Sequence, residues 1–430
     1  MAHDDVRKSN QQQLLGLASV YKGLTRKQPA DALGRDQTRL FPANGNPKLD
    51  YLIRLADVLD WPVGDVAEAI WDRGAPDPLP DEPPDGADFD ALNAAARDAH
   101  RAGKFALMSR IAQRMYAVAR TPQQRALACH RESGAWDGLG RYTRQLEAVR
   151  RGLAESPIDP ELRLLLRVNL ANSYYTLWHL HEARAMARDI IDEIADPASA
   201  LPSGSTNVRA ANAFAHYVLG NASRRLIALE PDRRIHHARA ARAALQTALD
   251  LYTALADERD NPAWRGIANT CRAGIIEADV ELGAIAPLDA VAALAAGLSA
   301  VDEPPNGAAD AAQHAGPVGD GLESYGWWCI FGCNIALRHL AGRDLQRHMA
   351  IFTNKGYEIA DRLDNWSMRE RLFSLEFLQR QRLNDLAGFP VDWTIDHEEV
   401  RVIVGTMGRF PMFRSTGWKI LQTATVVGDN

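Results

Sequence analysis

Three echoes of one short pattern constrain this chain most. They read "LANSYY" from Leu170, "LGNASR" from Leu219 and "IANTCR" from Ile267, each an apolar–small–Asn core. Their asparagines, Asn172, Asn221 and Asn269, lie about 48 residues apart, and a looser echo, "FGCNIA", places Asn334 after an inserted loop. Each echo falls in the first of two stretches of helical period. The second stretches read "HEARAMARDIIDEIA", "HHARAARAALQTALDLYTALA" and "LDAVAALAAGLSAVD". One such helix pair has two faces and can cover neither alone, so a fixed-period array must stack into a solenoid. The small residues recur where paired helices have to approach closely.

The rest of the chain fits an all-α protein. Almost every segment has helical period, and β-branched alternation is scarce. Residues 12–73 form a first helical unit. The stretch "GAPDPLPDEPPDGADFD" is too rich in proline and acid for helix and reads as a linker over residues 74–90. The repeats occupy residues 91–382. The tail, 383–430, breaks the repeat; Asp396 and Glu399 make a D-x-x-E helix start, so two final helices cap the array, with "VRVIV" open to a strand reading.

One repeat resembles the tetratricopeptide family. In "LRVNLANSYYTLWHLHEARAMARDII", Ala171 fills the small-residue slot of the first helix, Tyr174 the aromatic slot and Ala183 the small slot of the second. The other units are longer and more divergent. The resemblance implies a concave face that holds an extended peptide or a helix of a protein partner. It also maps Asn172, Asn221 and Asn269 onto the asparagine that grips peptide backbone in such arrays. Arg265, four residues before Asn269, shares its helix face. An amide offers donor and acceptor together, so a ladder of them suits any peptide sequence. The other reading is that these asparagines satisfy neighbouring helix ends.

The first unit carries a second resemblance. Thr25 and Gln28 form a capping box, Leu33-Gly34 ends the helix they open, and Asp36 caps the next, beginning Gln37-Thr38-Arg39-Leu40. Asn46-Pro47 starts another helix, with Leu49, Leu52, Ile53, Ala56 and Leu59 read on one face, and a last helix runs from about Val63 to Trp71. "GLT", "ALG", "NP.L" and "LIRLADVLDWPVGDV" resemble the five-helix lambda-repressor-like helix-turn-helix family, the Cro/XRE type, across residues 23 to 66. In that family the helix after the Leu-Gly turn enters the major groove of double-stranded DNA through its first residues, often as a homodimer. Those positions are Gln37, Thr38 and Arg39, whose side chains suit adenine and guanine edges. Arg26, Lys27, Arg35 and Lys48 supply phosphate contacts. From Lys22 to Lys48 there are six Lys/Arg against two acids, so the basic patch is local within a chain of net charge −6.

"FPANG" between Leu40 and Asn46 is shorter than the family carries there, and Pro42 stops the helix after little more than a turn. The competing reading is therefore a helix-turn-helix fold that no longer meets DNA, in a protein-interaction scaffold. The residues at the helix start favour DNA, since a structural helix does not need Gln-Thr-Arg there.

Catalytic chemistry has no foothold in the sequence. "HEARA" and "HEEVR" share two letters with HExxH and lack its second ligand, and no phosphate-binding loop, GxSxG or CxxC occurs. No catalytic residue, metal or cofactor is assigned. Cys129, Cys271, Cys329 and Cys333 sit in apolar helical stretches and read as buried free thiols. No apolar run is long enough to span a membrane, and "MAHDDVRKSNQQQ" lacks a signal peptide's apolar core, so the expected location is cytoplasmic. "SRRLIALEPDRRIHHARAAR" is read as a solvated basic face and "GWWCIFG" as core, each with a binding role as the alternative.

Overall fold

Helix boundaries follow polar punctuation in the sequence. Asp88, Asp159, Ser205, Asn261 and Asn365 each cap a helix by accepting from a backbone N–H two or three residues on, and Thr121 with Gln124 and Asp396 with Glu399 form reciprocal capping boxes. The computed structural model describes residues 3–21, 28–36, 47–59, 61, 63–71, 81–202, 204–299, 301, 317, 319–389 and 392–427. Over these the chain is all-α, apart from a two-residue parallel pairing of β1 (Thr394–Ile395) with β2 (Thr425–Val426). It divides into two compact units, residues 1–80 and 81–430.

In the first unit α1 (His3–Tyr21), α2 (Gln28–Ala32), α3 (Leu49–Leu59) and α4 (Val63–Ile70) share a core of Leu14, Leu15, Leu33, Tyr51, Leu52, Leu55, Ala56, Leu59, Val66 and Ile70. Gly34 follows α2 with φ +61°, the left-handed turn expected of it. The apolar face of α3 differs from the sequence reading. Tyr51 draws the buried arc to its own side, so Ile53 is 43% exposed and Leu49, at the first helical position, is 66% exposed.

The second unit is the array. Its pairs are α5 (Phe89–Arg101) with α6 (Phe105–Val118), α7 (Pro122–Gly138) with α8 (Tyr142–Ala154), α9 (Pro160–Thr176) with α10 (Leu180–Ala195) and α11 (Thr206–Leu229) with α12 (Arg234–Arg259). Then come α13 (Pro262–Glu281) with α14 (Pro287–Ser299), α15 (Asp320–His339) with α16 (Gly342–Arg362), and α17 (Trp366–Ala387). All four echoes fall in first helices. The tail forms α18 (His397–Arg409) and α19 (Arg414–Thr423), so "VRVIV" is helical, as its capping box dictates.

The turn inside several pairs is one recurring device. Gly103, Gly140 and Gly283 take positive φ, and the residue after each donates back to the carbonyl five residues earlier, as Lys104 does to Ala99 at 2.8 Å. Trp178 occupies the same position in the α9–α10 turn at φ +69°, where a non-glycine residue is strained. Its ring lies beneath the Arg225 and Arg371 guanidiniums, 4.6 and 4.9 Å from their centres.

Small residues let the helices close up. A Cβ on Gly220 of α11 would stand 2.6 Å from Leu245 of α12, and one on Gly332 of α15 would stand 2.5 Å from the Phe352 ring of α16. Residues 81–88, inside the stretch read as linker, are pinned to α6: Asp81 meets Lys104 at 2.6 Å, Glu82 meets Arg110 at 2.8 Å, and Arg114 donates to the Pro83 and Pro84 carbonyls.

The superhelix brings its two ends together. A Cβ on Gly103, in the α5–α6 turn, would lie 3.0 Å from the Gly319 backbone just before α15. One on Gly140, in the α7–α8 turn, would lie 2.7 Å from the Ser367 nitrogen of α17, and Tyr142 meets Phe410 edge-on. The first helices thereby face one another across an interior space.

Candidate functional site

That space is a cavity of about 1010 Å³, within the range of small-molecule and short-peptide sites. Phe105, Phe214, Tyr217, Tyr252, Trp264 and Trp327 give it aromatic walls. Its polar groups come from α5, α7, α9, the start of α11, the α12–α13 turn, α13 and the start of α15.

Four carboxylates lie in the walls: Asp260, which is ion-paired with Arg265, and three others. Asp137, at the end of α7, accepts from Asn172 Nδ2 at 3.1 Å; burial, with the Asp320 charge adding, pushes it up to about 7. Glu323 accepts from Trp327 Nε1 at 3.0 Å; burial and then Asp320 and Asp137 push it up to about 8. Asp320 is raised by burial, against the pull of His100, whose Nε2 lies 4.0 Å away. None of the three has an Arg or Lys within ion-pair distance among the described residues.

Another part of the wall is basic. Arg97, Arg101 and Arg131 line it, with Arg131 donating to Asn93 Oδ1 at 2.9 Å and lowered to about 10 by burial and by its two arginine neighbours. Next to them His130 is held down to about 3 by burial, with Arg131 and His100 adding, and its Nδ1 accepts from Asn169 Nδ2 at 3.0 Å. It is a neutral imidazole across the physiological range.

The residues expected to bind a partner do not form one ladder. Asn172 lines the cavity, 4% exposed. Asn221 is buried in α11, donating to the Tyr217 carbonyl and accepting from Arg224 at 3.2 Å. Asn269 donates to Ser324 Oγ at 2.9 Å, and its carbonyl accepts from Trp328 Nε1, so it ties α13 to α15. Arg265 is paired with Asp260 at 2.8 Å. Neither Asn221, Asn269 nor Arg265 lines the cavity.

The basic stretch read as a solvated face is divided: Arg233, Arg234, His236, Arg239 and Arg242 are exposed, while Arg224, Arg225 and His237 are buried. Arg224 is 4% exposed and pairs with buried Glu277 at 2.7 Å, while Arg225 donates to the Tyr175 carbonyl. Arg242 meets Asp279 at 2.6 Å, and His237 meets Glu230 at 2.7 Å. In "GWWCIFG", Cys329, Ile330 and Phe331 are core, but Trp327 faces the cavity. All four cysteines are buried and free.

Sequence reasoning passed over Asp137, Asp320, Glu323, His130 and Asn169. A signal existed for two of them. Asp137 sits in "SGAWDGLG", where Ala and Gly spacing marks a packed helix face, and Glu323 precedes Trp327 by one turn.

Of the residues assigned to DNA, Gln37, Thr38, Arg39, Arg26 and Lys27 lie outside the described residues. Lys48 is exposed just before α3. Arg35 is half-buried, its guanidinium 5.0 Å from the Tyr51 ring centre. Tyr51 is 1% exposed, its hydroxyl has no hydrogen bond, and burial raises it to about 12 against the pull of Arg35.

No protein-family model and no curated protein matches the chain. Among solved structures, that of Bacillus thuringiensis PlcR in complex with the peptide PapR7 and DNA aligns over 64% of this chain and 90% of its own. Identity is 14% and the TM-score 0.34.

Proposed function

We propose that this protein is a DNA-binding transcriptional regulator whose repeat array holds a small ligand or peptide. The observation that carries the sensing half is the cavity of about 1010 Å³, walled by aromatic rings and by unpaired charged groups. A repeat array serving only as a packed spacer has no use for buried carboxyls at its centre, because each costs folding energy. The DNA half rests on residues 23 to 66, with Gln37, Thr38 and Arg39 reading bases and Arg26, Lys27, Arg35 and Lys48 meeting phosphates. Arg35 fits a positioning role. It packs on Tyr51 beside the left-handed turn at Gly34, so its charge is held at the start of the reading segment. Asn172 is the clamp asparagine best placed to touch a ligand, since it alone of the three lines the cavity.

The test is selection of duplexes from a random library by the full-length protein, with and without a small-molecule filtrate of cell extract. An enriched motif supports the reading, and two-fold symmetry in it would indicate a dimer. No enrichment under either condition by a folded protein would leave residues 1–80 as a docking module.

A further inference from the structure

The polar lining of the cavity is sorted by chemistry. Around α7, α9 and α15 the donors already have partners: Asn172 Nδ2 gives to Asp137, and Trp327 Nε1 gives to Glu323. What remains there are carboxyl and amide oxygens and a tyrosine hydroxyl. Asp137, Asp320 and Glu323 present carboxyl oxygens without an Arg or Lys partner among the described residues. Asn172 keeps its amide oxygen. Tyr252, 2% exposed, lines the cavity near Asp320, and its hydroxyl has no hydrogen bond among the described residues. Such a buried, unpartnered polar group in a built cavity points to a ligand that completes it.

From this geometry we infer that the cavity holds its ligand by a primary ammonium group, seated on Asp137, Asp320 and Glu323, with the aromatic walls around the carbon skeleton. An ammonium carries three donors and no acceptor, which suits carboxyl oxygens that have no Arg or Lys partner among the described residues and that ionise against it. Aromatic faces favour the same charge. Two sources carry the group, the amino terminus of a short peptide and a free polyamine.

This deepens the sensing role proposed above, and it rests on that role only for the purpose of binding. The charged groups around the seat set its pH dependence. Arg97, Arg101, Arg131 and His100 face the cavity from α5 and α7, Arg259 and the Arg265-paired Asp260 face it from the end of α12, and His130 stays neutral. With Asp137 and Glu323 raised to about 7 and about 8, an arriving cation makes them ionise, so binding at pH 7 releases protons and weakens as pH falls.

The experiment is calorimetric titration of the full-length protein at pH 7 in two buffers of different ionisation enthalpy. The probes are a Gly/Ala heptapeptide amide with a free amino terminus, its N-acetylated twin, and spermidine. Intrinsic tryptophan fluorescence, compared with that of Trp327→Phe to isolate this cavity-lining ring from the other nine tryptophans, reports occupancy independently. The expected result is proton release with the free-amine peptide or with spermidine, and at least tenfold weaker binding of the acetylated peptide. Asp137→Asn with Glu323→Gln removes that preference; Glu323→Gln alone serves if the double variant melts early. Binding by the peptide alone assigns the amino terminus, and by spermidine alone the polyamine. Equal binding of the two peptides without response to spermidine, or no binding of any probe to folded protein, overturns the inference. DNA takes no part, so a blank here leaves the DNA reading standing, and a blank duplex selection leaves this result standing.

Discussion

At the scale of single residues, ionisation inside the array should be visible in its stability. Asp137 and Glu323 keep protons in the folded state up to about 7 and about 8, whereas the unfolded chain releases them near 3.8 and 4.5. Folded protein therefore binds more protons than unfolded protein in this window, and stability is lost as pH rises through the folded values. His130 works the other way. Held down to about 3 against 6.5 when unfolded, it withdraws stability only as pH falls below about 6.5. Between pH ~6.5 and ~8.5 the two carboxyls contribute a loss on the order of 2–3 kcal/mol, against which His130, His216 and His237, all lowered by burial, recover a part at the acid end. Thermal melts across that range should fall and then level off, and Asp137→Asn with Glu323→Gln should flatten the curve. Melts that rise with pH would show the carboxyls ionised in the folded protein. Two glycines of the first unit test the backbone argument. Gly16 lies within α1 with nothing within 4 Å of where an alanine methyl would sit, so Gly16→Ala should stabilise by about 0.5–1 kcal/mol. Gly34, at φ +61° beneath Arg54, should lose about 1–2 kcal/mol on the same change. Denaturant midpoints of the two variants should move in opposite directions.

At the scale of elements, the array is held by more than apolar stacking. Arg224 of α11 and Arg338 of α15 both pair with Glu277 of α13, which is 1% exposed, and Arg224 also lies 4.1 Å over the Phe331 ring. Glu277→Gln would leave the buried Arg224 guanidinium without its carboxylate, while Arg338 keeps Glu281, at a cost of about 3–5 kcal/mol. Equilibrium unfolding in urea would measure it, and a change below about 1 kcal/mol would mean that water already reaches the pair. Elements are also where the sequence was most legible. Helical period and the capping residues are local signals, so the helix pairs, the Gly34 turn and the Asp396 start could be read directly. The face of α3 could not, because a partly polar tyrosine, Tyr51, outcompetes Ile53 for the core. The acidic seat was hidden for a different reason. Asp137 and Asp320 are 183 positions apart by their numbers, and only closure of the superhelix places them on one cavity. A periodic echo likewise identifies equivalent positions in successive repeats but not their environments. Asn172 faces the cavity, while Asn221 is drawn into the Arg224 pair and Asn269 into the contact with Ser324.

For the whole molecule, the proposed function joins DNA reading in the first unit to ligand holding in the second, and linkage then requires that any ligand that changes DNA affinity be bound more or less tightly in return. The reading segment from Gln37 to Arg39 carries the central claim, since without it the array would sense for no output. The most direct measurement is the dissociation constant of the full-length protein for its selected duplex and for a scrambled one. It should be followed by fluorescence anisotropy as salt is raised, alongside Gln37→Ala with Arg39→Ala. The account predicts that the selected duplex is preferred at least tenfold, that affinity falls steeply with salt as phosphate contacts are lost, and that the double variant keeps the salt slope but not the preference. Equal affinity for both duplexes, unchanged in the variant, would contradict it and make the first unit a docking module.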